Sequence, residues 1–514
     1  MNSIVQLINV KAAPPSLNDN TADLDRLKKV LAEQLAGVLP IVPFSRLAKV
    51  ATRFRDAGFA GMAVVNDLPG GPQLVDFMAE PPAVLPAMAL DLGTTHLEAV
   101  LLDLLTGREL ARGYRENLQV RYGADILSRI HFAVRDNGLQ LLHDAIISCI
   151  NSLTVELAGQ ADLEVNDLRA LSVSGNTTMV HFFLGLDPYH LIREPYIPMV
   201  NGPDPCRAGE LDLVIHPFAP VWIMPSIGSY FGGDLISGIL ASDLDQNEQV
   251  SMLIDVGTNA EVVVGNRDWL IACAGAAGPA LEGGVARMGM RAGPGAIEHV
   301  ALDVASGKIS YSTIAGIKPK GICGSGIIDL VAALYLARII DLRGKFRPGH
   351  GSDRLIETKQ GLAYVVAVAD ESADGHPVIV GQVDLDAVMR SKAAMYSILT
   401  TLVNQVGVKF ADLHRIYVAG AFGRHIDPRQ AIVLGMLPDL PMEVFEPVGN
   451  SSLKGACQVL LVRRDRERCR ELIARITYLE LNVNQEFMLR FSGAKFIPHT
   501  DHALFPSVPF FSEN

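Results

Sequence analysis

The sequence predicts a layered α/β fold that contains two copies of one domain, on the strength of two observations. A short hairpin sequence occurs twice, as ALDLGTTHLEAVLLD at 89–103 and as LIDVGTNAEVVVGN at 253–266. Around both copies, apolar strand-like runs alternate with helical patterns, and glycine turns mark the strand ends. The composition agrees, since 49% of the 514 residues are hydrophobic and only 19% are charged, as in a compact chain with a large core.

The repeated hairpin has the residue types of a phosphate- and metal-binding turn. In each copy a buried strand ends in an aspartate, and x-Gly-Thr follows. Glycine lets backbone N–H groups approach a phosphate, the hydroxyl is an uncharged donor, and a carboxylate binds Mg²⁺, usually through water. A single D-x-G turn is an ordinary β-turn, but two matched copies favour function. We predict catalytic and metal-binding roles for Asp91 and Asp255, and nucleotide binding by Gly93, Thr94, Thr95, Gly257, Thr258 and Asn259.

Three further glycine turns lie at strand ends or helix starts, at Gly175–Thr178, Gly324–Gly326 and Gly420–Gly423. A helix that begins at Gly324, Ser325 and Gly326 offers free N–H groups to an anion, although a tight helix start explains the same residues. Gly420 and Gly423 would let a flat adenine lie close to the backbone, and a simple strand–helix turn is the alternative.

Two other features near the second hairpin are candidates for function. Glu261 follows Asp255 by six residues and would orient a water or the metal, unless it is an exposed strand residue. The segment 275–295 is rich in glycine, with Glu282, Arg287 and Arg291 as its only charges. It is our candidate for a surface that faces a partner, with a flexible surface loop as the alternative.

The domain organisation follows from these patterns. Residues 1–85 read as a small α+β module, with a helix at 24–39 capped by Asp23, and prolines 81, 82 and 86 separate it from the rest. We assign 86–250 and 251–475 to the two related subdomains and 476–514 to a segment that packs back on them.

Charge and cysteine content restrict the classes of function. The net charge of −12 argues against nucleic acid as the main partner. No apolar run reaches the roughly 18 residues of a membrane span, and the first residues lack signal-peptide features, so we expect a cytoplasmic protein without a membrane partner. The six cysteines include no C-x-x-C pair, so we expect no iron–sulfur cluster in this chain.

Longer strings then reveal a family resemblance. The two hairpins and the later VAGAFG turn resemble the phosphate and adenosine motifs of the actin, heat-shock ATPase and sugar kinase superfamily. Within it, SVSGNTTMVHFFLGLDP, GGDLISGIL, CAGAAGPALEGG, GICGSGIIDL and ITYLELNVNQEFMLRF are similar to the ATP-dependent reductive activators of corrinoid proteins. The match covers about 87–500, and residues 1–85 resemble the linker module of that family.

The resemblance implies the following function. Two actin-like ATPase subdomains around a nucleotide cleft would use ATP and Mg²⁺ to support reduction of a corrinoid protein from Co(II) to Co(I) in a methyltransferase system. Members of that family usually carry an iron–sulfur domain, and we expect none in this sequence. We therefore expect a separate ferredoxin-like, low-potential electron donor; the alternatives are that the protein provides only the ATP-driven conformational half, or that it is a relative with a different partner. Cyclic symmetry is common among oligomers, which makes a homodimer a reasonable expectation.

Three alternatives remain open on the sequence. A small-molecule kinase of the same fold would phosphorylate a metabolite, and a dehydratase-type activator would hold a cluster between two subunits. A nucleotide-sensing interaction protein would hydrolyse ATP too slowly to matter. Phosphorylation assays, iron analysis and the effect of Asp255→Ala on partner release separate them.

Overall fold

The computed structural model describes residues 2–257, 259–276, 288–290, 292–303, 306–349, 353–481 and 484–511. The chain forms two compact units, each described here by itself. Unit 1 contains residues 1–241 and 452–474, and unit 2 contains 242–451 and 475–514.

The N-terminal module of unit 1 is a three-stranded antiparallel sheet, order β1-β2-β3, covered by two helices that share an apolar core with it. The predicted helix at 24–39 is shorter than expected and has a different start. Asp23 is the first helical residue rather than the cap, and its carboxylate pairs with Arg55 at 2.7 Å. The elements are β1 (Val5–Lys11), α1 (Asp23–Gln34), α2 (Leu47–Asp56), β2 (Ala60–Leu68) and β3 (Gly71–Met78).

The rest of unit 1 is a six-stranded mixed sheet in the order β6-β5-β4-β7-β9-β8, with helices packed on it. Strands β4, β5 and β6 form an antiparallel meander, and β7 and β9 extend β4 in parallel. Its elements up to residue 242 are β4 (Pro86–Leu92), β5 (His96–Asp103), β6 (Glu109–Glu116), α3 (Ile126–Ala133), α4 (Gly138–Gln160), β7 (Leu171–Ser174), α5 (Thr177–Leu184), β8 (Cys206–Arg207), β9 (Pro220–Ile223) and α6 (Gly233–Ser242).

Unit 2 is built on a second six-stranded sheet, order β20-β19-β10-β11-β12-β21, whose edge strand β21 is Ile476–Tyr478. It also carries two three-stranded sheets. The elements up to residue 449 are β10 (Ser251–Val256), β11 (Asn259–Gly265), β12 (Leu270–Ala276), β13 (Ala296–Leu302), β14 (Ile309–Thr313), β15 (Gly321–Ile322), α7 (Gly324–Leu336), β16 (Leu355–Thr358), β17 (Gly361–Ala367), β18 (Val378–Gly381), α8 (Gln382–Gln405), β19 (Ile416–Ala419), α9 (Gly420–His425), α10 (Pro428–Leu434) and β20 (Phe445–Gly449).

The two large sheets share one topology, as expected of a duplicated domain. In both, a three-stranded antiparallel meander is followed by two strands that add in parallel to its first strand. Strands β4, β5, β6, β7 and β9 thus correspond to β10, β11, β12, β19 and β20. The repeated sequence motif occupies the first turn of each meander.

The last part of the chain departs from the predicted boundaries. We assigned 251–475 to one subdomain, whereas 452–474 belong to unit 1. The physical reason is the packing of the helix that follows β20, because its Ala456 carbonyl accepts a hydrogen bond from Ser172 on β7. The elements are α11 (Ser451–Leu461), α12 (Arg463–Arg475), β21 (Ile476–Tyr478) and α13 (Gln485–Gly493).

One helix among the described residues, α4, is long and apolar enough to cross a membrane by length and composition alone. This differs from the sequence-based expectation that no apolar run reaches such a length. In the structure, Leu142, Ile146, Ile150 and Leu153 of α4 are buried in the core of unit 1. Helices in the core of a globular protein can have the same length and apolar composition, so α4 is weak evidence for a membrane span.

The C-terminal segment of unit 2 is held by a buried lysine. The Lys392 ammonium on α8 donates to the carbonyls of Phe496 at 2.6 Å and Pro498 at 2.7 Å, and lies 3.4 Å from that of Gly435. Burial lowers the pKa of Lys392 well below its usual range. Three carbonyl acceptors offset part of the cost of removing this cation from water.

Candidate functional site

The first hairpin places Asp91 at the end of a buried strand, as the sequence predicts. Asp91 is directly opposite Glu98 on β5 and beside Ser174 on the parallel strand β7. Directly paired residues share one face of a sheet, so these three side chains lie on the same side. Gly93 closes the turn, because a Cβ there would lie 2.3 Å from the His96 carbonyl oxygen.

Two asparagines hold the backbone and side chains of this turn. The buried Asn117 amide donates to the Gly93 carbonyl at 3.0 Å, and its backbone N–H donates to the Thr95 carbonyl at 2.7 Å. The Asn176 amide donates to the Thr94 hydroxyl at 3.1 Å. Asn176 also caps α5 by accepting from the Met179 N–H. The two asparagines therefore hold the turn of unit 1 from both its backbone and its side chains.

A chain of hydroxyl groups leads away from the Asp91 carboxylate. The Ser452 hydroxyl, on the first turn of α11, donates to Asp91 Oδ1 at 2.7 Å. It lies 2.9 Å from the Ser174 hydroxyl, which lies 2.8 Å from that of Ser237 on α6. All three serines are buried. Sequence reasoning missed Ser452, since nothing local connects residue 452 with residue 91.

A second carboxylate of unit 1 is electrostatically linked to Asp91. Burial, followed by the charge of Asp91, raises the pKa of Asp234 to about 6. Asp234 Oδ1 accepts from the Leu235 N–H at 2.9 Å near the start of α6. Gly232 makes this approach feasible, because a Cβ there would lie 2.5 Å from Asn176 Cα and 2.6 Å from Asp234 Oδ1. Two neighbouring carboxylates of this kind are a donor set that suits a divalent cation.

Asp234 was not among the predicted site residues, although the sequence contains a signal for it. The string GGDLISGIL matches the family, and its two glycines precede an acidic residue at a helix start. The structure places that aspartate with the Asp91 hairpin.

The second hairpin has the same plan with a shorter turn. Asp255 is directly opposite Glu261 and beside Ala419 of the parallel strand β19. The Gly257 N–H donates to the Asn259 carbonyl at 2.8 Å and closes the turn, and Asn259 is exposed at its tip. The predicted nucleotide ligand Thr258 lies outside the described residues.

The structure requires glycine at position 420, for a reason that the sequence did not reveal. Its φ of 78° is in the left-handed region, and a Cβ there would lie 2.7 Å from Asp255 Oδ1. Gly423 lets α9 approach β19, because a Cβ would lie 2.2 Å from the Val418 carbonyl oxygen. The role of both glycines beside adenine stays a prediction, but Gly420 contacts the Asp255 carboxylate directly.

The predicted turn Gly324–Gly326 begins α7, a buried helix of 13 residues. The Ser325 hydroxyl donates to the Glu298 carbonyl at 2.9 Å, and a Cβ at Gly326 would lie 2.4 Å from the Ile297 carbonyl oxygen. The Glu298 carboxylate in turn lies 3.2 Å from Nδ1 of His425, the last residue of α9. The structure therefore connects this turn with the Gly420–Gly423 helix through β13.

The predicted residues fall into two groups. Unit 1 brings together Asp91, Gly93, Thr94 and Thr95, and unit 2 contains Asp255, Gly257, Asn259, Glu261, Gly324, Ser325, Gly326, Gly420 and Gly423. Of the segment 275–295, residues 277–287 with Glu282 and Arg287 lie outside the described residues, as does Arg291. Nucleotide and metal binding by all these residues stays a prediction.

Comparisons with known proteins define the class. Family descriptions match three consecutive stretches: the RACo linker region at 1–78, the RACo middle region at 86–247, and the C-terminal domain of RACo, the ASKHA domain, at 249–509. The chain is therefore an α/β protein of the ASKHA class, a class of ATP-binding proteins, with a linker and a middle region before the ASKHA domain. This confirms the predicted fold class.

Whole-chain relatives narrow the class to one family. The chain is 31% identical over 478 residues to corrinoid activation enzyme RamQ of Eubacterium limosum, covering 91% of this chain and 79% of the relative. It is 25% identical over 425 residues to the Co(II) methylated amine-specific corrinoid protein reductase of Methanosarcina barkeri, covering 76% and 72%. A solved structure of a reductive activator for corrinoid, iron–sulfur protein matches at a TM-score of 0.91 and 37% identity, covering 99% of this chain and 81% of that one. The chain belongs to the RACo family.

Proposed function

We propose that this protein is an ATP-dependent activator of a corrinoid protein, supporting reduction of its cobalt from Co(II) to Co(I). The observation that carries this proposal is the extent of the similarity, which includes the linker, the middle region and the ASKHA domain. A kinase that shared only the ATPase fold would not need the linker region. The relatives named for corrinoid activation and reduction match this chain across most of its length.

The carboxylates of the two units support a divalent cation as the companion of ATP. In unit 1, Asp91 and Asp234 are the candidate ligands, because Asp234 lies close enough to Asp91 for the Asp91 charge, after burial, to raise the pKa of Asp234. In unit 2, Asp255 and Glu261 share one face of the sheet. Mg²⁺, when bound, would neutralise phosphate charge during hydrolysis. The glycine turns would present backbone N–H groups to the phosphates.

The partners are proposed at a finer level than the family membership. A corrinoid protein is the substrate, and a separate low-potential, ferredoxin-like protein supplies the electron. ATP binding and hydrolysis would set how tightly the corrinoid protein is bound, so the nucleotide state would control its release. We further propose a cytoplasmic location and a homodimer.

An anaerobic assay tests the proposal. Purified protein is mixed with a Co(II) corrinoid protein, a low-potential chemical reductant and Mg–ATP, and the Co(I) absorbance is followed. We expect Co(I) to accumulate only with ATP, and Asp91→Ala to abolish the ATP-dependent part. Protein with the exposed Asp268→Asn substitution in the β11–β12 turn serves as the matched control.

The outcomes separate the readings. Co(I) formation with chemical reductant and Mg–ATP supports the activator and shows that reduction can proceed with an external donor. Co(I) formation at the same rate without ATP would contradict ATP-dependent activation. Phosphorylation of a metabolite at a rate that accounts for all ATP consumption would favour a kinase instead.

A further inference from the structure

Helix α11 (Ser451–Leu461) has contacts that its place in the sequence does not explain. It begins immediately after a strand of unit 2, but residues from 452 onward pack within unit 1. With 11 residues and a rise of 1.5 Å per residue, it spans about 16 Å. Its two ends contact different functional parts of unit 1.

The N-terminal end contacts the Asp91 site. The Ser452 hydroxyl donates to Asp91 Oδ1 at 2.7 Å, and Ser452 is 6% exposed. A hydrogen bond to a charged acceptor is stronger than one between neutral groups, and here it helps to orient the half-buried carboxylate of Asp91. Any ligand that moves Asp91 must therefore move the first turn of α11 or break this bond.

The middle of α11 is packed against β7 and α6 without space for adjustment. A Cβ at Gly455 would lie 2.5 Å from the Cα of Ser237 on α6. The Ser172 hydroxyl of β7 donates to the Ala456 carbonyl at 2.7 Å. Helix α6 begins beside Asp234, so the two helices that cross at Gly455 each begin at a carboxylate of the site.

The C-terminal end contacts the linker module. The Ile4 N–H, just before β1, donates to the Leu460 carbonyl at 2.8 Å. From α12, the buried Arg466 guanidinium donates to Asp67 on β2 at 2.8 Å and to the Asn2 carbonyl at 3.3 Å. Arg466 also donates to the Val459 carbonyl of α11 at 2.8 Å, which fixes the end of α11 to the same contact.

We infer that Ser452 is a positioning residue for Asp91 and that α11 couples the Asp91 carboxylate to the linker module. Mg–nucleotide, when bound, would displace Asp91, and the tightly packed α11 would transmit this displacement as a rigid element to the contact of its last turn with Ile4. In the reverse direction, the linker contact sets how firmly Ser452 holds Asp91. This inference rests on the proposed ATP site at Asp91, but not on the identity of the corrinoid partner.

Two readouts on the full-length protein test the coupling. The first is steady-state ATP turnover of the wild type, Ser452→Ala and Ser452→Thr. We expect Ser452→Ala to lower kcat about tenfold, as for loss of a hydrogen bond to a charged group, with KM for ATP changed less than threefold. Threonine keeps the hydroxyl, so we expect Ser452→Thr to retain at least a third of the wild-type kcat.

The second readout is amide hydrogen exchange at Ile4 with and without Mg–ADP, which a purely local role of Ser452 would not affect. We expect Mg–ADP to change Ile4 exchange in the wild type and Ser452→Thr but not in Ser452→Ala. Asp67→Asn weakens the Arg466 contact at the far end of the path. It should reduce the Mg–ADP effect at Ile4, and combining it with Ser452→Ala should add nothing further to the loss in kcat.

Specific results would overturn the inference. A kcat for Ser452→Ala within twofold of the wild type removes the positioning role. The coupling is refuted if Mg–ADP does not change amide exchange at Ile4 in the wild type. It is also refuted if Mg–ADP changes that exchange equally in the wild type and in Ser452→Ala. In either case a wild type that still forms Co(I) with ATP leaves the proposed function intact, whereas a wild type that does not bind Mg–ATP removes both.

Discussion

The two copies of the hairpin have the same strands and the same opposed acids, but they are supported differently. In unit 1 the turn is held by Asn117 and Asn176, and Asp91 is bonded to Ser452. In unit 2 the Asp255 carboxylate lies against the backbone of Gly420, where a side chain would collide with it. In unit 1 a serine hydroxyl thus helps to orient the aspartate, and in unit 2 the backbone beside the aspartate has to be glycine.

The opposed glutamates differ as well. Glu98 is paired with Arg112 at 2.9 Å, and Arg112 also binds Glu109. The strand position beside Glu261 is occupied by Ala274. Duplication therefore preserved the position of the acid in both units, and in unit 1 an arginine forms an ion pair with it. We expect the two glutamates to differ in their effect on ATP turnover.

The largest effect should come from the two aspartates. We expect Asp91→Asn and Asp255→Asn each to reduce ATP turnover about a hundredfold or more, because each removes a carboxylate that we propose as a ligand of Mg²⁺. If both hairpins act on one nucleotide, ATP turnover of the double variant should be about as low as that of the less active single variant, and no lower. Steady-state ATPase rates check this, with Asp268→Asn as the control. Effects that multiply would show that the hairpins work independently.

The next effect concerns the glycine that borders Asp255. Gly420→Ala puts a methyl group 2.7 Å from Asp255 Oδ1, so we expect ATP turnover to fall about tenfold. Gly407→Ala is the matched control, since Gly407 has a similar φ of 68° but open space around it. Both variants should lose about 1–2 kcal/mol of stability from the left-handed backbone, measured by urea unfolding. Equal turnover in the two variants would refute the clash.

A smaller effect separates the two glutamates. We expect Glu261→Gln to lower ATP turnover about fivefold, since its charge is next to Asp255 on the same sheet face. Glu98→Gln should keep turnover within twofold and lose less than about 1 kcal/mol of stability, the usual value of a partly exposed ion pair. Parallel ATPase and urea-unfolding measurements decide between them. Equal losses of turnover would mean that the Glu98 charge contributes to ATP turnover despite its ion pair with Arg112.

The smallest effect is on stability and depends on pH. The pKa of Asp234 is about 6 in the folded protein and near 3.8 when unfolded. Its contribution to stability is therefore complete below about pH 4 and is lost as pH rises to about 6. We expect Asp234→Asn to be on the order of 1–2 kcal/mol more stable than the wild type at pH 7.5, allowing for partial solvent exposure, and equal to it near pH 4.

Urea unfolding of both proteins at several pH values tests this prediction. Asp329 also has a pKa raised to about 6 by burial, so the variant must be compared with the wild type at each pH. A stability difference that does not change with pH would mean that burial and the charge of Asp91 do not destabilise the ionised form of Asp234. We expect the same variant to lose ATP turnover, as groups strained for function usually do.

The sequence predicted the duplicated fold and both hairpins because their signals are local. Asp91 and Asp255 each follow a run of apolar residues, and the turn residues are adjacent in the chain. The contribution of α11 could not be predicted, because residues 91 and 452 are 361 positions apart in the sequence and no local pattern links them. The requirement for Gly420 was visible as a glycine but not as a contact with Asp255. Asp234 belongs to GGDLISGIL, one of the segments that carry the family resemblance, but the sequence does not show that it lies near Asp91.

The buried Lys392 has a consequence for how the C-terminal segment changes among related sequences. Its acceptors are main-chain carbonyls of Phe496 and Pro498, which every amino acid provides. The hydrogen bonds of the ammonium therefore depend on the position of the backbone and not on which side chains this segment carries. Substitutions along this stretch can accumulate without releasing the lysine, whereas a single inserted or deleted residue would shift every carbonyl out of its reach. Variation in length, rather than in residue type, should be what relatives avoid here.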